Sequence, residues 1–337
     1  MTEKYRNRKR NTPITHSAPS TAQIPGIEEI RAALKRITPQ IHRTPVLTSE
    51  HLNESSGAQL FFKCENFQKT GSFKIRGATN AILSLTDDQA RNGVMTHSSG
   101  NHGAALARAA QLRGIPAWIV MPSNAPATKH AAVRSYGGQV AVCEPTLEAR
   151  ETTAREISDK TQAYMVHPYD NVQIIAGQGT VALEFLDEVP DLDYILAPVS
   201  GGGLLSGISL AAKLQRPQIK VIGCEPANAD DAYRSLRSGA IAPAGSGDTI
   251  ADGLRATLSP LTFSILKKYV DDIVTVTEAE IVDAMKIVWE RMKIIVEPSS
   301  AVAAAPAISN KIGAAGKKVG IVLSGGNLDL TRLPFQA

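Results

Sequence analysis

Four short segments of this 337-residue chain put chemically capable side chains beside glycines or at the ends of apolar runs. The first is S-G-G-G, Ser200, Gly201, Gly202 and Gly203, between an apolar run at 195–199 and a helix-like stretch at 204–214. Backbone amides without side chains, aimed from a helix N-terminus, make a cradle for an anion. A plain tight turn accounts for the glycines equally well. The spacing fits neither G-x-x-x-x-G-K-[ST] nor G-x-G-x-x-G, which disfavours a mononucleotide loop and a dinucleotide fold. The second segment, K-T-G-S-F-K-I-R-G-A at 69–78, sets Lys74 between Phe73 and Ile75 just before an apolar helix. A lysine in an apolar setting can be neutral, as an amine must be to attack a carbonyl. Most lysines are solvated surface residues, and for Lys74 taken alone that reading has the better odds.

The third segment, T-H-S-S-G-N-H-G at 96–103, brings hydroxyls, an amide and bare backbone donors together where a strand gives way to a helix. That suits the gripping of a carboxylate. The simpler alternative makes Ser98 or Ser99 the N-cap, with Gly100 easing the turn and His102 structural. The fourth, E-P-A-N-A-D-D at 225–231, offers carboxylates and a carbonyl as hard oxygen ligands for magnesium or calcium. Asp230 or Asp231 capping a helix that runs through Leu236 is the favoured explanation on spacing alone.

The elements that must position these groups follow an α/β pattern. β-branched and aromatic runs at 59–63, 93–97, 117–121, 139–143, 194–199, 220–224 and 318–323 alternate with helical stretches, as parallel strands linked by helical crossovers require. Each run is continuous enough to be buried on both faces. A scaffold helix spans 278–294, with Thr277 and Glu280 as a capping box and Ile281, Ala284, Met285, Val288 and Met292 at helical spacing. Glycine-rich ends at 200–203 and 324–326 follow apolar strands, the positions where open parallel sheets collect ligands.

Composition narrows the function. Hydrophobic residues make up 43% and charged residues 20%, a globular balance with enough apolar surface for a core. The formal charge is 36 minus 32, or +4, and Lys4, Arg6, Arg8, Lys9 and Arg10 sit in the first ten positions. No broad basic face remains to argue for nucleic acid. No run of about eighteen apolar residues argues for a membrane span, and no secretory leader is evident, so a cytoplasmic address is expected. The stretch 1–25 reads as a flexible arm rather than a transit segment, lacking a convincing amphipathic helix. Cys64, Cys143 and Cys224 lie far apart and read as reduced core thiols.

Taken together, S-F-K-I-R-G-A, T-H-S-S-G-N-H-G, S-G-G-G-L-L-S-G, E-P-A-N-A-D-D-A-Y and L-S-G-G-N-L-D-L resemble the fold-type II pyridoxal-phosphate enzymes, in the same order and at similar separations across 30–330. Within them, the chain is similar to the serine racemase and threonine or hydroxyaspartate dehydratase group. The resemblance implies a two-lobed, tryptophan synthase beta-like fold, with 26–92 and 171–337 as a large cofactor-binding domain and 93–170 as a small mobile domain. It implies pyridoxal 5'-phosphate bonded to Lys74, with Phe73 beside the ring, Asn101 on the phenolic oxygen and Ser324 facing the pyridine nitrogen. Ser200, Gly201, Gly202 and Gly203 would hold the phosphate, while Ser98, Asn101 and His102 would grip the substrate carboxylate. Ser99 would act opposite Lys74, since racemisation needs an acid or base on each face of Cα. Glu225, the Ala229 carbonyl and Asp231 would bind a structural magnesium or calcium ion.

The S-S-G-N-H loop leans toward the racemase and hydroxyaspartate branch, where threonine dehydratases usually read S-A-G-N-H. Arg150 lies where the racemase branch has an arginine near the substrate, and could pair with a second carboxylate. Ser200 stands where many relatives have a fourth glycine, and E-P-S-S-A at 297–301 departs from the common E-P-x-G-A. The chain ends soon after L-S-G-G-N, so feedback through a long C-terminal regulatory domain is not expected. A neutral hydroxyl at Ser324 does not force the ring nitrogen to stay protonated, which favours β-elimination of water beside reprotonation. The first expectation is therefore a serine racemase with serine and threonine dehydratase activity, a homodimer with a small hydroxy-amino-acid substrate, ATP being a candidate activator. A hydroxyaspartate ammonia-lyase is the alternative, and a non-catalytic pyridoxal-phosphate-binding protein the reading from another class.

Overall fold

The computed structural model describes residues 23–98 and 100–335. The chain begins with α1 (Ile27–Ile37), β1 (Val46–Leu47), α2 (Glu50–Ser56), β2 (Gln59–Cys64), α3 (Lys74–Ser84) and α4 (Asp87–Ala90). It continues through β3 (Val94–His97), α5 (Asn101–Arg113), β4 (Ala117–Pro122), α6 (Ala127–Ser135), β5 (Gln139–Cys143), α7 (Leu147–Thr161) and β6 (Tyr164–Met165). Next come α8 (Val172–Glu188), β7 (Tyr194–Pro198), α9 (Gly203–Gln215), β8 (Lys220–Pro226), α10 (Asp231–Ser238) and α11 (Pro260–Tyr269). The last elements are β9 (Asp272–Val276), α12 (Glu278–Met292), α13 (Pro298–Ile308) and β10 (Lys318–Leu323).

Among the described residues these strands form a six-stranded sheet, β1-β2-β10-β7-β8-β9, and a four-stranded sheet, β5-β4-β3-β6. Every pairing is parallel except that of β1 with β2. The α/β expectation holds, and all seven expected strands are present within two residues of their expected ends. Three strands lack a sequence signal: β1 and β6 are two residues long, and β9 is a half-buried edge. One expectation is corrected, because β5 is an edge strand with Gln139 and Val142 exposed rather than a strand buried on both faces. The expected arm lies mostly outside the described residues.

Alternation along the larger sheet shows why its strands are mostly apolar. Ile195, Ala197, Val199, Val221 and Val322 join the core formed with α1, α8, α9 and α11. Leu196, Ile222, Cys224, Val319, Ile321 and Leu323 point to the other face, against α2, α12 and α13. Helices cover both faces, so a polar side chain in these strands is buried and needs a partner, as Lys63 on β2 and Glu225 on β8 show. The α12 capping box is present as expected, and the helix stops at Met292 because Lys293 takes a left-handed conformation with φ 60°. All three cysteines are buried free thiols, and burial pushes Cys64 up to about 12.

One polar cluster lies inside this apolar frame. Lys63 on β2, Glu65 just after it, Arg76 on α3 and Glu184 on α8 are at most 4% exposed. Arg76 donates to Glu65 at 2.7 and 2.8 Å and to Glu184 at 2.7 and 2.8 Å, and Lys63 donates to Glu184 at 2.9 Å. Burial pushes the Glu184 carboxyl up, but Arg76 and Lys63 outweigh it and hold the group below the ordinary range. α3 and α8 can come this close because a Cβ on Gly177 would sit 2.6 Å from the Gly77 Cα.

Removing one acid from this cluster leaves a buried cation without compensation. Glu184→Ala is expected to destabilise the fold by about 3–5 kcal/mol, read as a lower urea midpoint with an unchanged slope. A midpoint within experimental error of the parent would contradict this reading.

Candidate functional site

β2, β10, β7 and β8 are parallel neighbours, so their carboxyl ends line one edge of the sheet. From those ends leave the Lys74 segment, the Ser324 loop, the glycine segment and Glu225 respectively. Four segments far apart in sequence thus become adjacent through strand order alone. The loop 96–103 leaves the corresponding end of β3 in the smaller sheet.

The Lys74 segment is laced to the loop after β10. Ser72 forms an antiparallel bridge with Gly325, the Phe73 amide donates to the Ser324 carbonyl at 3.0 Å, and the Gly326 amide donates to the Gly71 carbonyl at 2.9 Å. Lys74 then opens α3, its Nζ 3.5 Å from the Pro168 carbonyl and 5.2 Å from the Phe73 ring centroid. Burial lowers the Lys74 amine to about 8, with the negative charge of Glu297 opposing that shift. A lysine held so is a much better nucleophile at neutral pH than a solvated one.

The glycine segment opens α9. Gly202 is the N-cap with φ 86°, and a Cβ there would lie 2.8 Å from the side chains of Leu258 and Thr262. A Cβ on Gly201 would lie 2.4 Å from the Tyr169 ring, which covers the segment. The Ser200 hydroxyl is already engaged, accepting from the Ala256 amide at 3.0 Å and donating to its carbonyl at 3.3 Å. The anion-cradle geometry is therefore supplied by main chain at the start of a 13-residue helix.

At the start of α5 the Ser98 hydroxyl accepts from the Gly100 and Gly103 amides at 3.2 and 3.1 Å. Ser98 thus serves the helix end, although Gly100 is the residue at the N-cap. Asn101 donates through Nδ2 to Glu297 Oε1 at 2.8 Å and accepts at Oδ1 from Asn327 at 3.0 Å. His102 is buried; burial, then the nearby Lys74 and His167, hold its imidazole well below the usual range, so it is neutral. Ser99 lies outside the described residues. Arg150, on α7, has a buried Nε without a hydrogen-bond partner. Burial raises the Tyr169 hydroxyl, Asp170 and Asp231 add to the rise, and the charge of Arg150 opposes it.

Glu225 follows a course the sequence did not suggest. Its two oxygens accept from the Ala232 and Tyr233 amides at 3.0 and 2.8 Å, so it caps α10 from a distance. Neither Asp230 nor Asp231 does so; Asp230 instead accepts from Arg234 at 2.8 Å. Asp231 Oδ2 is buried without a partner. Burial raises Glu225 to about 8 and Asp231 to about 6. Among the described residues no group of three or more histidine, cysteine or carboxylate side chains is arranged to hold a metal. An orphaned carboxylate oxygen beside a second carboxylate does fit a cation completed by carbonyl and water oxygens.

A side-chain-free cradle at a helix N-terminus and a buried lysine amine two strands away on the same sheet edge suit a phosphorylated aldehyde. The chain belongs to the pyridoxal-phosphate dependent enzyme family, whose model matches residues 37–325. It is an α/β pyridoxal-phosphate-dependent enzyme of the fold-type II racemase and dehydratase group. It is 50% identical over 312 residues to the beta-hydroxyaspartate dehydratase of Paracoccus denitrificans, spanning 93% of this chain and 99% of that protein. It is 51% identical over 312 residues to the serine racemase of Arabidopsis thaliana, spanning 91% of this chain and 94% of that one. Its structure is similar to that of maize serine racemase, with a TM-score of 0.90 and 48% identity over 92% of this chain and 95% of that chain.

Sequence reasoning missed Tyr169, Glu297 and the Lys129–Asp252 ion pair that spans from α6 to the segment before α11. The E-P-S-S-A motif held the one available signal, for Glu297. Because φ at Gly202 is left-handed, Gly202→Ala is expected to cost at least about 1–2 kcal/mol in the cofactor-free protein. Urea unfolding measures this, and an unchanged midpoint would show that the turn has no need of glycine.

Proposed function

We propose that the chain is a hydroxy-amino-acid ammonia-lyase whose preferred substrate is hydroxyaspartate, reversing the order of the first sequence reading. The observation that carries this choice is Arg150, a cation whose buried Nε has no hydrogen-bond partner. A second substrate carboxylate would give that guanidinium the partner it lacks. The Paracoccus relative, covered over 99% of its length, supports the same choice.

Bound pyridoxal phosphate supplies an electron sink that makes the α-proton of an attached amino acid removable. In this reading Lys74 would hold the cofactor through its aldehyde, and its amine would accept the substrate α-proton on one face of Cα. Gly201, Gly202 and Gly203 would hold the phosphate, with Ser200 bracing their loop through Ala256. Phe73 would lie beside the ring, Asn101 would donate to its phenolic oxygen, and Ser324 would meet its nitrogen. Ser98, Asn101 and His102 hold the substrate α-carboxylate at the start of α5, where the helix end favours negative charge. Loss of the β-hydroxyl as water, then hydrolysis, yields a 2-oxo acid and ammonia. Residues 93–170 would move as a small domain closing on substrate, and the working state would be a homodimer, which light scattering can test.

A second reading is serine racemisation with serine and threonine dehydration, supported by the serine racemase relatives and by the two adjacent serines of the S-S-G-N-H loop. There Ser99 returns a proton to the face opposite Lys74. Ser99→Ala is expected to suppress conversion of L- to D-serine more than elimination from L-serine; equal loss of both would sink the two-base assignment. Arg150→Ala is expected to lower kcat/KM for hydroxyaspartate by roughly 30-fold with a much smaller effect on serine. Equal effects on both substrates would count against Arg150 as the discriminating residue. Lys74→Ala should abolish the visible absorbance of the bound cofactor, and in the parent the rate of cofactor attachment should rise with pH through about 8 as the amine loses its proton. A visible band without turnover of any hydroxy-amino acid would support the non-catalytic binding protein instead.

Glu225, the Ala229 carbonyl and Asp231 would bind magnesium or calcium as a structural ion. The carboxyl pKa values lie above their ordinary 4.5 and 3.8, so the folded state holds these protons more tightly than the unfolded one. Without cation, their contribution to stability therefore falls as pH rises from about 4 to 8. A cation stabilises the ionised form, so the magnesium-induced rise in Tm should be larger at pH 8 than at pH 6. A rise independent of pH, or none, would remove these carboxylates as ligands.

A further inference from the structure

Glu297 sits at the N-cap of α13 yet makes no side-chain cap bond to that helix. Its side chain turns instead into the site and is 2% exposed. Oε1 accepts from Asn101 Nδ2 at 2.8 Å, and Oε2 is buried without a hydrogen-bond partner. The main chain on either side is fixed: the Glu297 amide donates to the Gly325 carbonyl at 3.0 Å, and a Cβ on Gly325 would lie 2.6 Å from Oε1. Asn327 donates to both the Thr70 carbonyl, at 2.7 Å, and Asn101 Oδ1, at 3.0 Å.

These contacts decide which way the Asn101 amide faces. Reversed, its oxygen would meet the Glu297 carboxylate and its nitrogen would meet the Asn327 nitrogen, two repulsive pairings. In the observed orientation one hydrogen of Nδ2 goes to Glu297 and the second is left to be presented elsewhere. A protonated Glu297 can donate as well as accept, which removes half of that bias.

We propose that Glu297 is a titratable positioning residue, holding the Asn101 amide so that its second hydrogen meets the ring oxygen of the cofactor and transmitting its own charge state to that oxygen. The proposal rests on the reading in which Lys74 and Asn101 hold the cofactor. The charged groups facing Glu297 are Lys74 at the start of α3, Lys129 on α6 and Asp252 in the segment before α11. Burial is the largest influence and raises Glu297 to about 7, with Lys129 pulling it down and Asp252 pushing it up. The group therefore changes charge in the range where an enzyme of neutral solution works.

The test compares the full-length holoenzyme with Glu297→Gln, Glu297→Asp and Glu297→Ala by the visible spectrum of the bound cofactor across a pH titration, and by cofactor dissociation. Glutamine keeps the acceptor and removes the charge, so the spectral transition in the neutral range should vanish while cofactor stays bound. Aspartate should keep a transition at a displaced pH. Alanine frees the Asn101 amide and should raise the Kd for pyridoxal phosphate roughly tenfold. A transition in Glu297→Gln that superimposes on the parent, with a normal parent spectrum, overturns the proposal alone. Absence of any cofactor band in the parent overturns the Lys74 reading and this proposal with it.

Discussion

The buried cluster of Lys63, Glu65, Arg76 and Glu184 is the constraint on which the site depends. Two acids and two bases sealed at the junction of β2, α3 and α8 are costly to bury, and only complete pairing offsets that cost. Arg76 makes five hydrogen bonds, two to Glu65, two to Glu184 and one to Thr180 at 3.2 Å. A planar fork so fully used cannot shift without leaving a buried charge exposed to an apolar core. Because Arg76 lies two residues beyond Lys74, the start of α3 inherits that rigidity. The cluster is a frame that fixes the backbone from which Lys74 projects.

Contrast explains where reactivity is placed. Within the frame every charge has its partner and Glu184 stays ionised. Around the ligand edge the partners are incomplete: Asp231 and Glu297 each keep a buried oxygen without a hydrogen bond, and Arg150 keeps a buried nitrogen. The groups whose pKa moves toward neutrality are Lys74, Glu225, Asp231 and Glu297, all at strand or helix ends on that edge. These shifts share one cause, burial without full compensation.

Legibility in the sequence followed the range of the interaction. The seven apolar strands, the α12 capping box and the glycine segment are local patterns, and the fold class followed from them. Lys74 could not be separated from other lysines by its neighbours alone; it stood out through motifs that strand order later makes adjacent. Tyr169 carries no local signal, because what matters is its ring over Gly201, a contact set by the path from β6 to α8. Glu297 follows the same logic, since an N-cap glutamate normally serves its own helix. The metal-like segment misled in part: Asp230 and Asp231 look like caps, yet Glu225 reaches forward to the α10 amides because β8 ends beside them.

β10 lies between β2 and β7, so the strand made last completes the sheet at its centre rather than at its rim. Until residues 318–327 are available, β2 and β7 face a gap, and the Lys74 segment lacks the Ser324, Gly325 and Asn327 contacts that shape it. On the ribosome, more than 240 residues separate the appearance of Lys74 from that of its lacing partners, as their numbering shows. Such non-local closure is slow and comes late. The nascent chain therefore carries Lys74 through nearly the whole of synthesis without the finished segment around it. Cofactor capture becomes an event of the completed polypeptide, and a truncated product would retain the lysine yet lack the means to hold what it binds.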